Sequence, residues 1–207
     1  FHHLSLTTFV SPGMVIERVV LEGRHVRLES LSPDHHPQLC AVGLDEELWR
    51  WTTSQMRTPE EMRAYIEEAL AAQATGTALP FAIIAKDAAR AVGSTRYGNI
   101  ERAHRRVEIG WTWIGRPWQR TAVNTEAKYL MLRHAFETLG CIRVELKTDS
   151  LNERSRHAIL RIGAKEEGIL RNHMITASGR IRHTVYYSII ASEWPAVQAR
   201  FEKWLNR

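Results

Sequence analysis

A chain of 207 residues with 44% hydrophobic and 25% charged side chains has the composition of one ordinary globular domain, which excludes fibrous and disordered proteins. Its 28 basic residues against 23 acidic ones leave +5, which suits an anionic ligand or simply a solvated surface; no lysine/arginine tract is long enough for a nucleic-acid-binding arm. Cys40 and Cys141 each sit in an apolar stretch and read as buried thiols of a reducing, cytoplasmic compartment, and no apolar run reaches membrane-spanning length.

Residues 1–13 carry His2 and His3 and read as a fusion remnant ahead of a start at Met14, with 14–207 as one domain. The alternation over Arg24 to Leu31 predicts a strand, and Ser32, Pro33 and Asp34 open a helix carrying Leu39, Cys40 and Val42. Thr58, Pro59 and Glu61 signal a second helix, running to about Ala74 before Gly76. Three strands follow, Pro80 to Lys86, Ala91 to Ile100 and Arg106 to Ile114, the last two a hairpin turning over Glu101 to Arg105. Pro117 to Asn124 reads as a loop. A helix comes next, with Ala127, Leu130, Met131, Ala135 and Leu139 on one face and Gly140 as its stop. Cys141 to Thr148 alternates strictly and is the clearest strand; a helix over Asn152 to Ile162 ends at Gly163. Strands around 164–175 and 181–191 flank the turn 176–179, and a helix over Glu193 to Leu205 closes the chain. The order is α/β with mixed strand directions, and its strand–helix–strand crossover requires parallel neighbours.

Two strand-to-helix junctions carry the chemistry. In Gly110 to Ala127 a strand ends, a polar turn follows and a helix begins. The free N–H groups of a first helical turn bind a pyrophosphate well, with Arg116 and Arg120 adding charge; the plainer reading makes Asn124 or Thr125 a structural cap. In Thr148 to Gly163, Asn152 is a good N-cap with Ser155 three residues on. The functional alternative has the Asn152 amide bond a pantetheine arm and the Ser155 hydroxyl protonate a departing thiolate. His35, His36, His134 and His157 show no metal-ligand spacing, so no metal is expected.

Glu108-Ile109-Gly110-Trp111, the loop Gln119 to Asn124 before Thr125-Glu126-Ala127, Asn152-Glu153-Arg154-Ser155, Leu160-x-x-Gly163-Ala164 and Val185-Tyr186-Tyr187-Ser188 together resemble the GNAT acetyltransferases. The resemblance runs from Met14 over nearly the whole chain and is nearest to the Rim-type enzymes, which acetylate N-terminal amines of ribosomal proteins. It implies a mostly antiparallel sheet of six to seven strands, a central parallel pair splayed at the cofactor site, and helices on both faces. In the family's loop, Gln or Arg is followed by two residues, Gly, one residue, then Gly or Ala. Gln119 fits, while Ala122 and Asn124 stand at the small positions. Ala suits the site only with negative φ, and Asn is among the better non-glycine residues for left-handed backbone.

The resemblance further implies direct acetyl transfer from acetyl-CoA to an amine. Trp111, Thr112, Trp113, Gln119, Arg120, Thr121, Ala122, Val123, Asn124, Thr125, Asn152, Arg154 and Ser155 would hold the cofactor. Glu108 is the expected base, unless it is a solvent-facing residue paired with Arg106 or Arg96, and Ser155 the acid, with Tyr186 or Tyr187 as alternative. Trp49 and Trp51 line an amine pocket or anchor their loop on the core, and Arg96 and Tyr97 are further acceptor-side candidates. The acceptor is a protein or peptide N-terminus, or alternatively a small amine, with neither nucleic acid nor membrane as partner and a homodimer as the family's common assembly. From a different class, an acyl-CoA-binding module without catalysis would follow if Ala122 and Asn124 spoil the loop.

Overall fold

The computed structural model describes residues 13–206; the expected fusion remnant lies, apart from Gly13, outside the described residues. Met14 is buried, with the Cys141 thiol against its sulfur.

The elements in chain order are β1 (Leu21–Glu22), β2 (Val26–Ser30), α1 (His36–Gly43), α2 (Pro59–Ala74), β3 (Leu79–Ala85), β4 (Arg90–Glu101), β5 (Arg106–Ile114), α3 (Ala122–Arg133), β6 (Arg143–Asp149), α4 (Glu153–Arg161), β7 (Lys165–Ile175), β8 (Ile181–Ile190) and α5 (Trp194–Leu205). They form an eight-stranded sheet in the order β1-β2-β3-β4-β5-β6-β8-β7, antiparallel throughout except for β5 and β6. The mixed, mostly antiparallel sheet with one central parallel pair is the expected one. β1 is added to the seven predicted strands, too short at two residues to show a period.

Helices cover both faces, each over its own apolar cluster. α1 and α2 pack Leu39, Met62, Tyr65 and Ile66 against Ala82, Ala91 and Trp113. On the opposite face α3 and α5 bury Leu130, Met131, Val197 and Phe201 against Phe81, Tyr97, Val107 and Ile109. The start of α2 is fixed as predicted. Thr58 accepts from the Glu61 N–H, Glu61 reaches back to the Thr58 N–H, and Pro59 takes the first position, where no N–H is needed. Several boundaries differ from expectation, the clearest at two helix starts. The helix after Ser32 begins with a 3-10 turn over Pro33–His35, and α3 begins at Ala122, inside the predicted loop.

Glu126 fixes where α3 lies. Its buried carboxylate accepts three main-chain N–H groups from the turn between β1 and β2: Arg24 at 2.8 Å, His25 at 2.6 Å and Val26 at 2.7 Å. A Cβ on Gly23 would lie 2.5 Å from this carboxyl group, so the turn closes only around glycine there. Glu126→Ala removes the partner of three donors, of which that of Val26 is buried and those of Arg24 and His25 are partly so, and should lower stability by about 2 kcal/mol or more, read as a drop in urea midpoint. Glu126→Gln, which keeps one acceptor oxygen, should fall in between.

Candidate active site

β5 and β6 pair through only three residues, the last being Glu108 opposite Glu145. Beyond that point β5 stays with β4 as far as Ile114, and β6 stays with β8 as far as Asp149, so an opening forms between them. A bulge in β5 accompanies it: Gly110 and Trp113 pair with Arg96 and Ser94, so Trp111 and Thr112 together oppose Thr95. Trp111 takes a left-handed φ of 51°, and its ring lies over Gly98, where a Cβ would come within 2.2 Å of it. The expected splay and its place near Trp111 to Trp113 are thus both present.

Glu108 stands at the fork, 2% exposed. Its Oε2 accepts from Asn99 Nδ2 at 2.6 Å and pairs with Lys147 Nζ at 3.1 Å. It is neither solvent-facing nor paired with Arg106 or Arg96; Arg106 pairs with Glu145 instead. The other oxygen, Oε1, lies 2.7 Å from where a Gly110 side chain would begin, so it faces the space that Gly110 leaves open. The Lys147 ammonium also lies over the rings of Trp111 and Tyr186, at 5.6 and 5.8 Å.

At the mouth of the opening, Gln119 donates to the Ile114 carbonyl at 2.9 Å and Arg120 takes the left-handed conformation at φ 61°. Thr121 is the N-cap of α3, its hydroxyl accepting from the Val123 N–H at 3.3 Å, which corrects the expectation that Asn124 or Thr125 caps. Ala122 and Asn124 are therefore ordinary right-handed helical residues. The positive φ that glycine would ease falls on Arg120, so the two substitutions that favoured an inactive loop cost little backbone strain. The Asn124 side-chain oxygen is buried without a partner among the described residues, a polar group that a ligand or water would complete. Arg116 is turned away, bound to Asp45, and does not add its charge here. In its stead Arg161 of α4 reaches Thr125 at 3.0 Å, a cation beside the first turn of α3 that the local sequence did not announce.

Asn152 caps α4 as predicted, Oδ1 accepting from the Ser155 N–H at 3.1 Å, with Ser155 half-buried and Arg154 exposed on the first turn. Arg156 holds the Tyr187 hydroxyl at 3.2 Å, whereas Tyr186 points to the other face, toward Lys147. Trp49 is a core anchor rather than a pocket wall: its ring packs on Trp113 and Tyr65, and its Nε1 donates to the Gly43 carbonyl at 2.8 Å. Tyr97 is likewise no acceptor residue, since it is fully buried under α3 with its hydroxyl donating to the Met131 carbonyl at 2.5 Å. Trp51 lies between the guanidinium groups of Arg50 and Arg180, and its carbonyl accepts from Arg182, which ties the connection after α1 to the β7–β8 turn.

Lys128 escaped notice because it reads as one polar position on an amphipathic helix. From α3 it donates to Thr112 Oγ1 at 2.7 Å, just past the bulge. Burial pulls its ammonium down to about 7, the Glu108 charge opposing the shift.

Comparison with known proteins agrees with this geometry. The family model described as "Acetyltransferase (GNAT) domain" matches residues 25–165. The Bacillus subtilis (strain 168) protein provisionally named ribosomal N-acetyltransferase YdaF is 34% identical over 96 residues, 46% of this chain and 51% of its own length, so the match spans about half of that relative. A GCN5-related N-acetyltransferase from Brucella melitensis is 33% identical with a TM-score of 0.86, covering 94% of this chain and 88% of its own. Mycobacterium smegmatis RimJ, solved in complex with CoA-disulfide, shares the fold at 23% identity and a TM-score of 0.74, over 89% of this chain and 90% of its own.

The Lys128 shift carries a pH dependence. The unfolded chain keeps this proton up to the ordinary lysine value of 10.5, and the folded chain releases it near 7. Between those values the unfolded state binds more protons, so stability should rise with pH. Urea midpoints of the wild type should climb from about pH 7 to about pH 9 relative to those of Lys128→Met, which lacks this contribution.

Proposed function

This chain belongs to the GNAT acetyltransferase family, and on that premise we propose that it transfers an acetyl group from acetyl-CoA to the N-terminal amine of a protein or peptide. The observation that carries this reading is the opening between β5 and β6, with Glu108 at its fork and the first turn of α3 at its mouth.

The residues fit the co-substrate. The N–H groups of Ala122 and Asn124 in the first turn of α3, with Arg120 and Arg161, meet the charge of a pyrophosphate, and the unpaired edge of β5 near Trp111 to Trp113 offers main-chain partners to an extended amide-containing arm. Asn152, whose Oδ1 is taken by the cap, has its Nδ2 to give to that arm. When bound, acetyl-CoA supplies a thioester carbonyl as the acyl donor. Oε1 of Glu108 faces open space over Gly110 and takes a proton from the incoming ammonium, directly or through a water. Asn99 and Lys147 hold Oε2 and thereby fix the carboxylate plane. Ser155 returns a proton to the leaving sulfur in this reading, with Tyr187, whose hydroxyl is held by Arg156, as the alternative.

A protein acceptor is supported by the B. subtilis relative's name, ribosomal N-acetyltransferase, and the N-terminal amine is the acceptor that the Rim-type resemblance implies. The two unbridged thiols, Cys40 and Cys141, support a reducing, cytoplasmic setting.

Calorimetric titration with acetyl-CoA, then thiol release against peptides and small amines, tests the proposal. Micromolar binding with release on a peptide N-terminus is the expected result. Release confined to small amines would move the acceptor to that class, and binding without release would leave an acyl-CoA-binding module. Glu108→Gln should lower kcat about a hundredfold while acetyl-CoA affinity stays within about twofold. If Glu108→Gln and Ser155→Ala both turn over normally while folded, the roles given to these residues are wrong.

A further inference from the structure

The face of the opening toward α2 holds more buried positive charge than acetyl transfer to a bare amine requires. Arg96 lies directly opposite Gly110 in the β4–β5 pairing, next to the space that Glu108 Oε1 faces. It is 2% exposed, with its guanidinium 5.2 Å from the Tyr65 ring centre and 5.1 Å from that of Trp111. Among the described residues its Nε has no hydrogen-bond partner, and Glu108 gives its ion pair to Lys147 instead. Among the described residues, Arg182, 7% exposed, donates only to Thr184 Oγ1 and the Trp51 carbonyl. Burial, followed by the charges of Lys147 and Arg182, also holds His173 below the ordinary imidazole range. On the acidic side, Glu108 is matched by Lys147, and Asp149 by Arg180.

Aromatic faces replace only part of the hydration that a buried guanidinium gives up, and its planar fork fits one partner best, a carboxylate. Resting on the acetyl-transfer reading above, we propose that the acceptor carries a carboxylate within a few bonds of its amine, received by Arg96 while Glu108 receives the ammonium. The juxtaposition of base and cation across Gly110 suits a short amino acid–like group. That group has two sources: the α-carboxylate of a free amino acid, or the side chain of an acidic N-terminal residue of a peptide.

Thiol release by the wild-type enzyme with matched acceptors separates them. One pair is a C-terminally amidated peptide beginning with Glu against the same peptide beginning with Gln; the other is a free amino acid against its carboxamide. The expected result is a kcat/KM about tenfold to a hundredfold higher for the acid in one pair, carried mainly by KM, and that pair names the source. Arg96→Met should shrink the preference to within about twofold, and Arg96→Lys, which keeps the charge without the fork, should lose most of it should the Met variant not fold.

Equal kcat/KM for acid and amide in both pairs would overturn the proposal and leave acetyl transfer standing, as would a preference that survives in folded Arg96→Met. No release from any acceptor, despite acetyl-CoA binding, would overturn the transferase reading and this proposal with it.

Discussion

The parting of β5 from β6 after Glu108 is the constraint from which the rest of the molecule follows. A sheet keeps its strands together because each main-chain group needs a partner, and here that rule is suspended along one seam. The bulge at Trp111 and Thr112 carries the break on the β5 side, since two residues facing one cannot stay in register with both neighbours. A non-glycine residue with left-handed backbone is tolerated because its surroundings over-determine it. The Trp111 ring is seated over Gly98 and flanked by Arg96 and Lys147, and its carbonyl accepts from the Tyr65 hydroxyl at 3.4 Å. The same side chains that stabilise the bulge therefore line the α2 side of the opening.

Across the seam the two faces differ in charge and task. Toward α3 and α4 lie helix starts, Lys128 on Thr112, and the Arg156–Tyr187 contact, a setting for an anionic, extended ligand. Toward α2 lie Glu108, Lys147 and Arg96, a buried carboxylate and two cations around Gly110 and Trp111. The strand alternation in β4 divides them. Arg96 faces α2, and Tyr97, the next residue, is locked beneath α3, which is why adjacent residues that look alike as acceptor candidates serve different layers.

What local sequence specifies, it specified well: the alternation in β6, the helical face of α3, the capping box at Thr58 and the Asn152 cap are all set by residues within a few positions of one another. The misreadings have a common cause, partners distant along the chain. Glu108 follows Arg105 and Arg106 in sequence but meets Lys147 and Asn99 in space. Arg116 beside the loop is captured by Asp45, seventy-one positions away. Trp49 reads as a loop residue until Trp113 and Tyr65 are brought under it. The start of α3 differs for another reason: Thr121 is a good cap, but it lies inside the loop that the family's glycine pattern extends to Asn124.

The carboxylate of Glu126 makes a distant segment accountable to this site. Three amide hydrogens of the β1–β2 turn are held by a side chain that belongs to the helix at the mouth of the opening. They exchange with solvent only when the turn leaves the helix or the helix itself opens, so the two segments share one opening free energy. The N-terminal turn thus works as a gauge of α3, and anything that steadies the first turns of that helix slows isotope exchange at Arg24, His25 and Val26 without touching them.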